Sequence, residues 1–358
     1  MNKKIFCTIG PASFNPKTLC RLEELGVSLF RINLSHTKIE DLQSCINLIR
    51  KYSKVPICLD TEGAQIRTGF LSSKQKFLKE NERLLITEST GENKEECLSL
   101  YPESVRKKLV EGDLLRIDFD SALIQIVSVK NNEVQARVIS SGWVGNNKAV
   151  SAFRHVQLPA YTKKDKEALK VGKKMGIKNY ALSFANCGQD VELFRRMAPK
   201  GAHIISKIES KEGYKHLDEI LAATDALLID RGDLSREIPI ELIPFYQKKI
   251  IKSANQAGKP VYIATNLLES MIENLYPTRA EVNDVINALA MGADGLVLAA
   301  ETAIGKRPVE TAAMIVKLIN QFELSQKNDL TEHGTHVTSL LTEPHGGLLI
   351  DQWDKKPD

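Results

Sequence analysis

The sequence predicts an α/β fold: a (β/α)8 TIM barrel with a small all-β domain inserted after the third strand. Three observations predict it. Eight short apolar runs recur along the chain, each the size of a strand buried on both faces. Helical stretches that end in glycine precede most of these runs. One interval, residues 68–157, breaks that rhythm with short alternating segments.

In order, the eight runs are KIFCTIG (4–10), SLFRINL (28–34), VPICLDT (55–61), NYALSF (179–184), HIISKIE (203–209), DALLID (225–230), KPVYIAT (259–265) and DGLVLAA (294–300). LCRLEELG precedes the second, EALKVGKKMG the fourth and QKKIIKSANQAG the seventh. Repeated βα units imply a parallel sheet, and eight of them imply a closed barrel. The gap after the third run exceeds 100 residues, too long for a βα loop. Within it RLLITEST, DLLRIDF, ALIQIVSVK and EVQARVIS alternate as strands, with VEGD and KNNE as turns. An insertion there falls on the C-terminal face of the barrel, where active sites lie. The expected division is a barrel over 1–67 and 158–324, an insert over 68–157 and a polar tail over 325–358. PVETAAMIVKLINQFEL (308–324) is expected to close the barrel as a helix. The tail's His333, His336 and His345 lack a ligand-like context and read as solvated.

The 358 residues carry 49 basic and 45 acidic side chains, a net charge of +4. That mild excess excludes the concentrated basic face of a nucleic-acid binder and suits small anionic ligands. No apolar run reaches the ~18–20 residues that span a bilayer, so no membrane partner is expected. The N-terminal apolar stretch is too short for a signal peptide. Six cysteines without a CxxC pair read as reduced thiols of a cytoplasmic protein.

Polar residues at strand C-termini are the candidates for chemistry. They are Arg31, Asn33, Ser35 and His36; Asp60, Thr61 and Arg67; Lys207 and Glu209; Asp230, Arg231 and Asp233; Thr265; and Glu301. Ionised groups beside apolar strands are costly unless paired or bound to a ligand, so a buried structural ion-pair network is the competing reading. Glu209 and Asp233, from consecutive strands, can share a hard divalent cation. Lys207 lies two residues before Glu209, on the same strand face. Carboxylates, a lysine and an arginine suit charge developing on a phosphoryl group or an enolate. No GxxxxGK[ST] occurs, which excludes a P-loop enzyme.

Several segments make a more specific match. CTIGPAS (7–13), RINLSH (31–36), LDTEGAQIRTG (59–69), LPAYTKKDKEAL (158–169), SKIES (206–210), RGDLSREIP (231–239), GKPVYIATNLLESMI (258–272), PTRAEVNDVINA (277–288) and ETA (301–303) occur in one order along the chain. In these the sequence resembles pyruvate kinase over residues 4–320. The resemblance implies a cytoplasmic glycolytic phosphotransferase. It would move a phosphoryl group between phosphoenolpyruvate and ADP, giving pyruvate and ATP, through a metal-bound enolate. It implies Mg²⁺ or Mn²⁺ on Glu209 and Asp233, with K⁺ on Asn33, Ser35, Asp60 and Thr61. Lys207 would stabilise the moving phosphoryl group, Arg31 would contact it, and Thr265 would sit near the proton path. Gly232, Asp233 and Thr265 would bind the substrate carboxylate. His36, Arg67 and Lys148 would approach the nucleotide phosphates. The inserted segment would be a mobile lid.

The chain departs from the family pattern at several points. It ends soon after the barrel, so the family's C-terminal regulatory domain is expected to be missing. Hyperbolic kinetics, no response to fructose bisphosphate and a homodimer or monomer are the matching expectations. RGDLSRE places Ser235 and Arg236 where a small and an apolar residue are usual. Arg236 either turns inward, onto an anion, or points to solvent. Ala299 and Ala300 replace the Ser-Gly before ETA, and Gln65 stands where glutamate is common. The lid hinge, NKAVSAFRH (147–155), lacks the usual glycines and proline, and DFDSA replaces an acidic DDG turn. Other readings therefore stay open: a kinase with another acceptor, a metal-dependent 2-oxoacid lyase or aldolase, or a non-catalytic binding protein.

Overall fold

Eight parallel strands close the first barrel in the computed structural model, which describes residues 3–71, 75–88, 96–118, 121–130, 133–154 and 156–327. Its first strands are β1 (Lys4–Thr8), β2 (Leu29–Asn33) and β3 (Ile57–Asp60). The insert follows with β4 (Ile66–Thr68), β5 (Gln75–Leu78), β6 (Arg83–Glu88), β7 (Cys97–Tyr101), β8 (Leu114–Ile117), β9 (Ala122–Lys130), β10 (Glu133–Ser140), β11 (Gly142–Gly145) and β12 (Ala149–Ala152). The barrel resumes with β13 (Asn179–Leu182), β14 (His203–Ile208), β15 (Ala226–Asp230), β16 (Val261–Ala264) and β17 (Gly295–Leu298). β1 pairs with both β2 and β17, which closes the ring.

The period of two along each strand decides what the barrel encloses. Phe6, Leu29, Cys58, Ala181, Ile205, Ala226, Leu228, Tyr262, Ala264 and Val297 form its inner core, with the Phe6 and Tyr262 rings 4.5 Å apart. The alternate residues, such as Cys7, Phe30, Ile204 and Ile229, pack outward on helix residues such as Leu19, Ile46 and Ile250. Counting two further along the inner register gives Thr8, Arg31, Asp60, Lys207 and Asp230. The strands thus crown an apolar interior with a polar layer at their C-terminal ends. Gly26 and Gly176 end the preceding helices at φ +81° and +63°, a region that disfavours other residues.

The insert is a second closed barrel, in the order β10-β6-β7-β4-β12-β8-β9, beside a two-stranded β5–β11 sheet. Its core is separate, with Leu84, Ile86, Leu98, Leu115, Ile124, Ile126 and Val138 within it. Sequence patterning finds β6, β8, β9 and β10. It misses β4, β5, β7, β11 and β12, which have five residues or fewer. The last helix spans Pro308–Lys327, three residues past the expected end at Leu324. Ser325, Gln326 and Lys327 supply no glycine or proline stop, so the helix runs into the segment expected as tail. The three tail histidines lie outside the described residues. Among the described residues, no helix is long and apolar enough to cross a membrane.

Arg154, in the segment expected to act as a hinge, is held firmly. Its Nε lies 2.8 Å from Asp113 Oδ1 and its Nη2 2.8 Å from Oδ2, a bidentate pair, and Nη2 also donates to the Lys108 carbonyl. Burial would raise the Asp113 carboxyl, but the Arg154 and Val110 N–H hydrogen bonds outweigh it and lower it. Asp113→Ala is expected to destabilise the inserted barrel by about 1–3 kcal/mol, seen as faster amide exchange in β8 and β9. Because that carboxyl is depressed, its contribution holds above the usual carboxylate range and fades as pH falls through the folded value. The wild type and the variant should therefore converge in acid.

Candidate active site

Lys207 is the centre of the polar layer. Its Nζ lies 2.8 Å from Glu209 Oε1, 3.3 Å from Asp230 Oδ2 and 3.5 Å from Asp60 Oδ1, and 3.2 Å from Ser183 Oγ. Burial alone would lower the ammonium. The charges of Asp60, Glu209 and Asp230 outweigh it and hold Lys207 above its ordinary value. Arg31 completes the network, with Nη1 3.1 Å from Asp60 Oδ2 and Nε donating to Thr8 Oγ1 at 2.8 Å.

One ligand atom each from Glu209, Asp230 and Asp233 lies within 4.8 Å of the others. The chemistry of this donor set fits a hard divalent cation. Glu209 Oε2 accepts from the Phe184 N–H at 2.7 Å. Glu209 Oε1 and Asp230 Oδ1 are buried and accept no well-aligned hydrogen bond; Oε1 meets Lys207 only as an ion pair. Burial, with repulsion from Asp233 and Asp230, pushes Glu209 well up despite Lys207. Burial and Asp230 push Asp233 up, while burial of Asp230 is overcome by Lys207 and Arg31, which lower it. A divalent cation would relieve that mutual repulsion. Sequence reading left Asp230 out of the metal set. Its signal was its place at the end of β15, three residues before Asp233. Ser183 was missed as well, although it ties Lys207, Asp60 and the Thr61 carbonyl together.

Beside the carboxylates the backbone of residues 231–233 turns toward Thr265. The Gly232 N–H donates to Thr265 Oγ1 at 2.8 Å. Thr265 has φ +68° and Asn266 φ +54°, which for a β-branched threonine is a real strain. Arg231 holds that strain in place. Its Nη2 donates to the Thr265 carbonyl at 2.6 Å, and its Nη1 pairs with Asp284 at 2.6 Å. A cavity of about 1020 Å³ opens here, lined among others by Arg31, Asn33, His36, Gly232, Asp233 and Thr265.

The other expected residues divide. Asn33 and Asp60 are register partners on β2 and β3, and Asn33 Oδ1 accepts the Ser35 N–H. Thr61 Oγ1 accepts the Ser183 N–H. His36 is exposed at the cavity, and burial with Arg67, Lys164 and Arg31 lowers its pKa. Lys148 is not brought to the site. It pairs with Asp118 of the insert at 2.9 Å and lines neither cavity described here.

Arg236 turns inward. Its Nη1 lies 2.8 Å from Asp233 Oδ1 and 3.3 Å from Gln65 Oε1. The same Gln65 oxygen accepts from Arg67 Nη2 at 3.0 Å. Burial and the neighbouring Arg236 both lower Arg67 from its usual value. A smaller cavity of about 310 Å³, lined by Arg236, Gln65, Phe153, Glu209 and Asp233, lies between the two barrels.

Residues 1–312 match the family model for the pyruvate kinase barrel domain. The chain is 34% identical to a pyruvate kinase of Thermotoga maritima, over 97% of this chain and 78% of that protein. It is 39% identical to one from Geobacillus stearothermophilus, over 96% of this chain and 61% of the relative. It thus spans about three fifths of that second protein. A crystal structure of a pyruvate kinase from Cryptosporidium parvum superposes with a TM-score of 0.82 at 35% identity, over 90% of this chain and 69% of that one. With these likenesses added to the two barrels and the carboxylate cluster, the chain belongs to the pyruvate kinase family.

Proposed function

We propose that this chain transfers a phosphoryl group between phosphoenolpyruvate and ADP through an enolate. The observation that carries the reading is the buried Lys207 ammonium among Asp60, Glu209 and Asp230, in the same polar layer as Arg31 and Asp230, which line the cavity together with Gly232 and Thr265. Glu209, Asp230 and Asp233 would hold Mg²⁺ or Mn²⁺. When bound, that cation supplies positive charge to substrate oxygens. Lys207 and Arg31 present fixed positive charge to the phosphoryl oxygens without reorganising. The amides near Gly232 and Asp233, with the Thr265 hydroxyl, orient the substrate carboxylate. Asn33, Ser35, Asp60 and Thr61 would take K⁺. His36 and Arg67 would meet the nucleotide phosphates, and the inserted barrel, which starts at β4 (Ile66–Thr68), would act as a lid.

The test is a metal-dependent incubation of phosphoenolpyruvate with ADP and a panel of other acceptors, followed by phosphorus NMR. Formation of ATP supports the reading. Phosphoenolpyruvate left intact with every acceptor, in enzyme that binds Mn²⁺, sinks it. A second test separates fold from ligand. A Cβ at Gly232 would meet nothing nearer than Thr265 Oγ1 at 3.5 Å. Gly232→Ala should therefore change stability by no more than about 0.5 kcal/mol yet raise KM for phosphoenolpyruvate about tenfold. An unchanged KM would place the carboxylate elsewhere.

A further inference from the structure

We propose that Arg236 is an internal counter-cation that competes with the divalent metal for Asp233 and so sets the metal affinity of the site. The inference rests on the proposed metal reading of Glu209, Asp230 and Asp233.

The geometry carries it in three steps. First, Arg236 Nη1 is 2.8 Å from Asp233 Oδ1, and both side chains are largely buried, at 23% and 19% exposure. A pair so placed is screened less than a surface pair. Second, Lys207 is already shared among Asp60, Glu209 and Asp230 and has no close ion pair with Asp233. Arg236 therefore neutralises the carboxylate that Lys207 leaves over. Third, the guanidinium has somewhere to stay when a metal takes Asp233. Gln65 Oε1 lies 3.3 Å from the same Nη1, on the segment that leads into the inserted barrel. The metal must displace the Arg236 contact or bind against its charge, and either lowers affinity. Arg236 is a positioning residue in this scheme. It acts on the metal through Asp233 and touches no reacting atom.

The sign of the effect separates this role from a packing role. Losing a packing residue weakens the site with and without metal. Losing a competing cation leaves the metal-free site with uncompensated negative charge and strengthens metal binding. The metal-free protein should become less stable while the stabilisation by metal grows.

The experiment is Mn²⁺ titration by electron paramagnetic resonance at pH 8, with thermal melts in EDTA and in Mn²⁺. It compares the wild-type chain, Arg236→Val, Arg236→Lys and Glu209→Gln. Arg236→Val is expected to bind Mn²⁺ about tenfold tighter, as expected for removing one charge a few ångströms from a divalent ion in a partly screened site. Its melting temperature should fall in EDTA, and its rise with Mn²⁺ should exceed that of the wild type. Arg236→Lys keeps the charge without the planar fork and should stay near the wild type. High salt should narrow the gap between Val and wild type. Equal or weaker Mn²⁺ binding by folded Arg236→Val overturns the proposal. If Glu209→Gln binds Mn²⁺ as well as the wild type, the metal lies elsewhere, and the metal reading falls together with this one. If Glu209→Gln loses Mn²⁺ but Arg236→Val gains nothing, the metal reading stands and only the counter-cation role is lost.

Discussion

Glu209→Gln is expected to remove Mn²⁺ binding and to cut phosphoryl transfer by about 10³-fold, while the metal-free protein melts no lower than the wild type. The two halves of that result have one cause. Glu209 is buried, and its repulsion from Asp233 and Asp230 pushes its carboxyl well up, so its ionised form is costly near neutral pH. A raised carboxyl makes the fold more stable as pH falls and less stable as pH rises through the folded value. The neutral amide removes that penalty, so the variant's advantage in EDTA should appear at pH 8 and vanish in acid. The amide oxygen can still accept the Phe184 N–H that Glu209 Oε2 accepts at 2.7 Å. A hard cation, in contrast, loses an anionic ligand, and roughly 4 kcal/mol of lost transition-state stabilisation corresponds to that 10³-fold. Asp233→Asn should likewise lose Mn²⁺ and activity with the fold intact. Melts with and without Mn²⁺, beside the transfer assay, check both. Full activity at limiting metal in either variant would show the metal to lie elsewhere.

How much of this was legible in the sequence depends on the range of the interactions involved. The eight barrel strands are buried on both faces, so each is a continuous apolar run that stands out without tertiary knowledge. The charged ends of those runs were legible for the same reason. The inner register that collects Arg31, Asp60, Lys207 and Asp230 follows from period two once closure is known. The short strands β11 and β12 carry residues such as Gly142, Trp143 and Ser151, and only pairing across the insert makes them strands. Asp230 as a third metal candidate needed its distance to Glu209, at the end of the preceding strand. Lys148 was expected near phosphates from the resemblance alone; its present partner, Asp118 at 2.9 Å, depends on the pairing of β4, β8 and β12 in the insert, which the sequence does not display. Arg236 was ambiguous between solvent and interior because its direction depends on Gln65, 171 residues away.

Lys207→Met is expected to have the largest effect on stability and to remove activity outright. Methionine fills similar space but carries no charge, so Asp60, Glu209 and Asp230 lose the cation they share at 3.5, 2.8 and 3.3 Å. Breaking a buried ion network by removing one partner typically costs about 3–5 kcal/mol, because the remaining charges stay buried. The wild-type lysine is raised above its ordinary value. Its contribution is therefore complete below that value, across the whole neutral range, and is lost only in strong alkali. In the variant the dependence moves to the carboxylates. Without Lys207 the Glu209 and Asp230 carboxyls lose the charge that lowers them and rise, protonation relieves them, and stability should recover as pH falls from 8 to 5. Mn²⁺ should restore part of the loss at pH 8 by supplying positive charge to Glu209 and Asp230. Phosphoryl transfer should stay absent under both conditions, since in the proposed mechanism neither a proton nor the metal replaces the ammonium that Lys207 presents to the phosphoryl group. Melting curves at the two pH values, with and without Mn²⁺, separate this account from simple loss of packing. A stability deficit of equal size at pH 5 and pH 8, unmoved by Mn²⁺, would mean that Lys207 holds the barrel through its methylene stem rather than its charge.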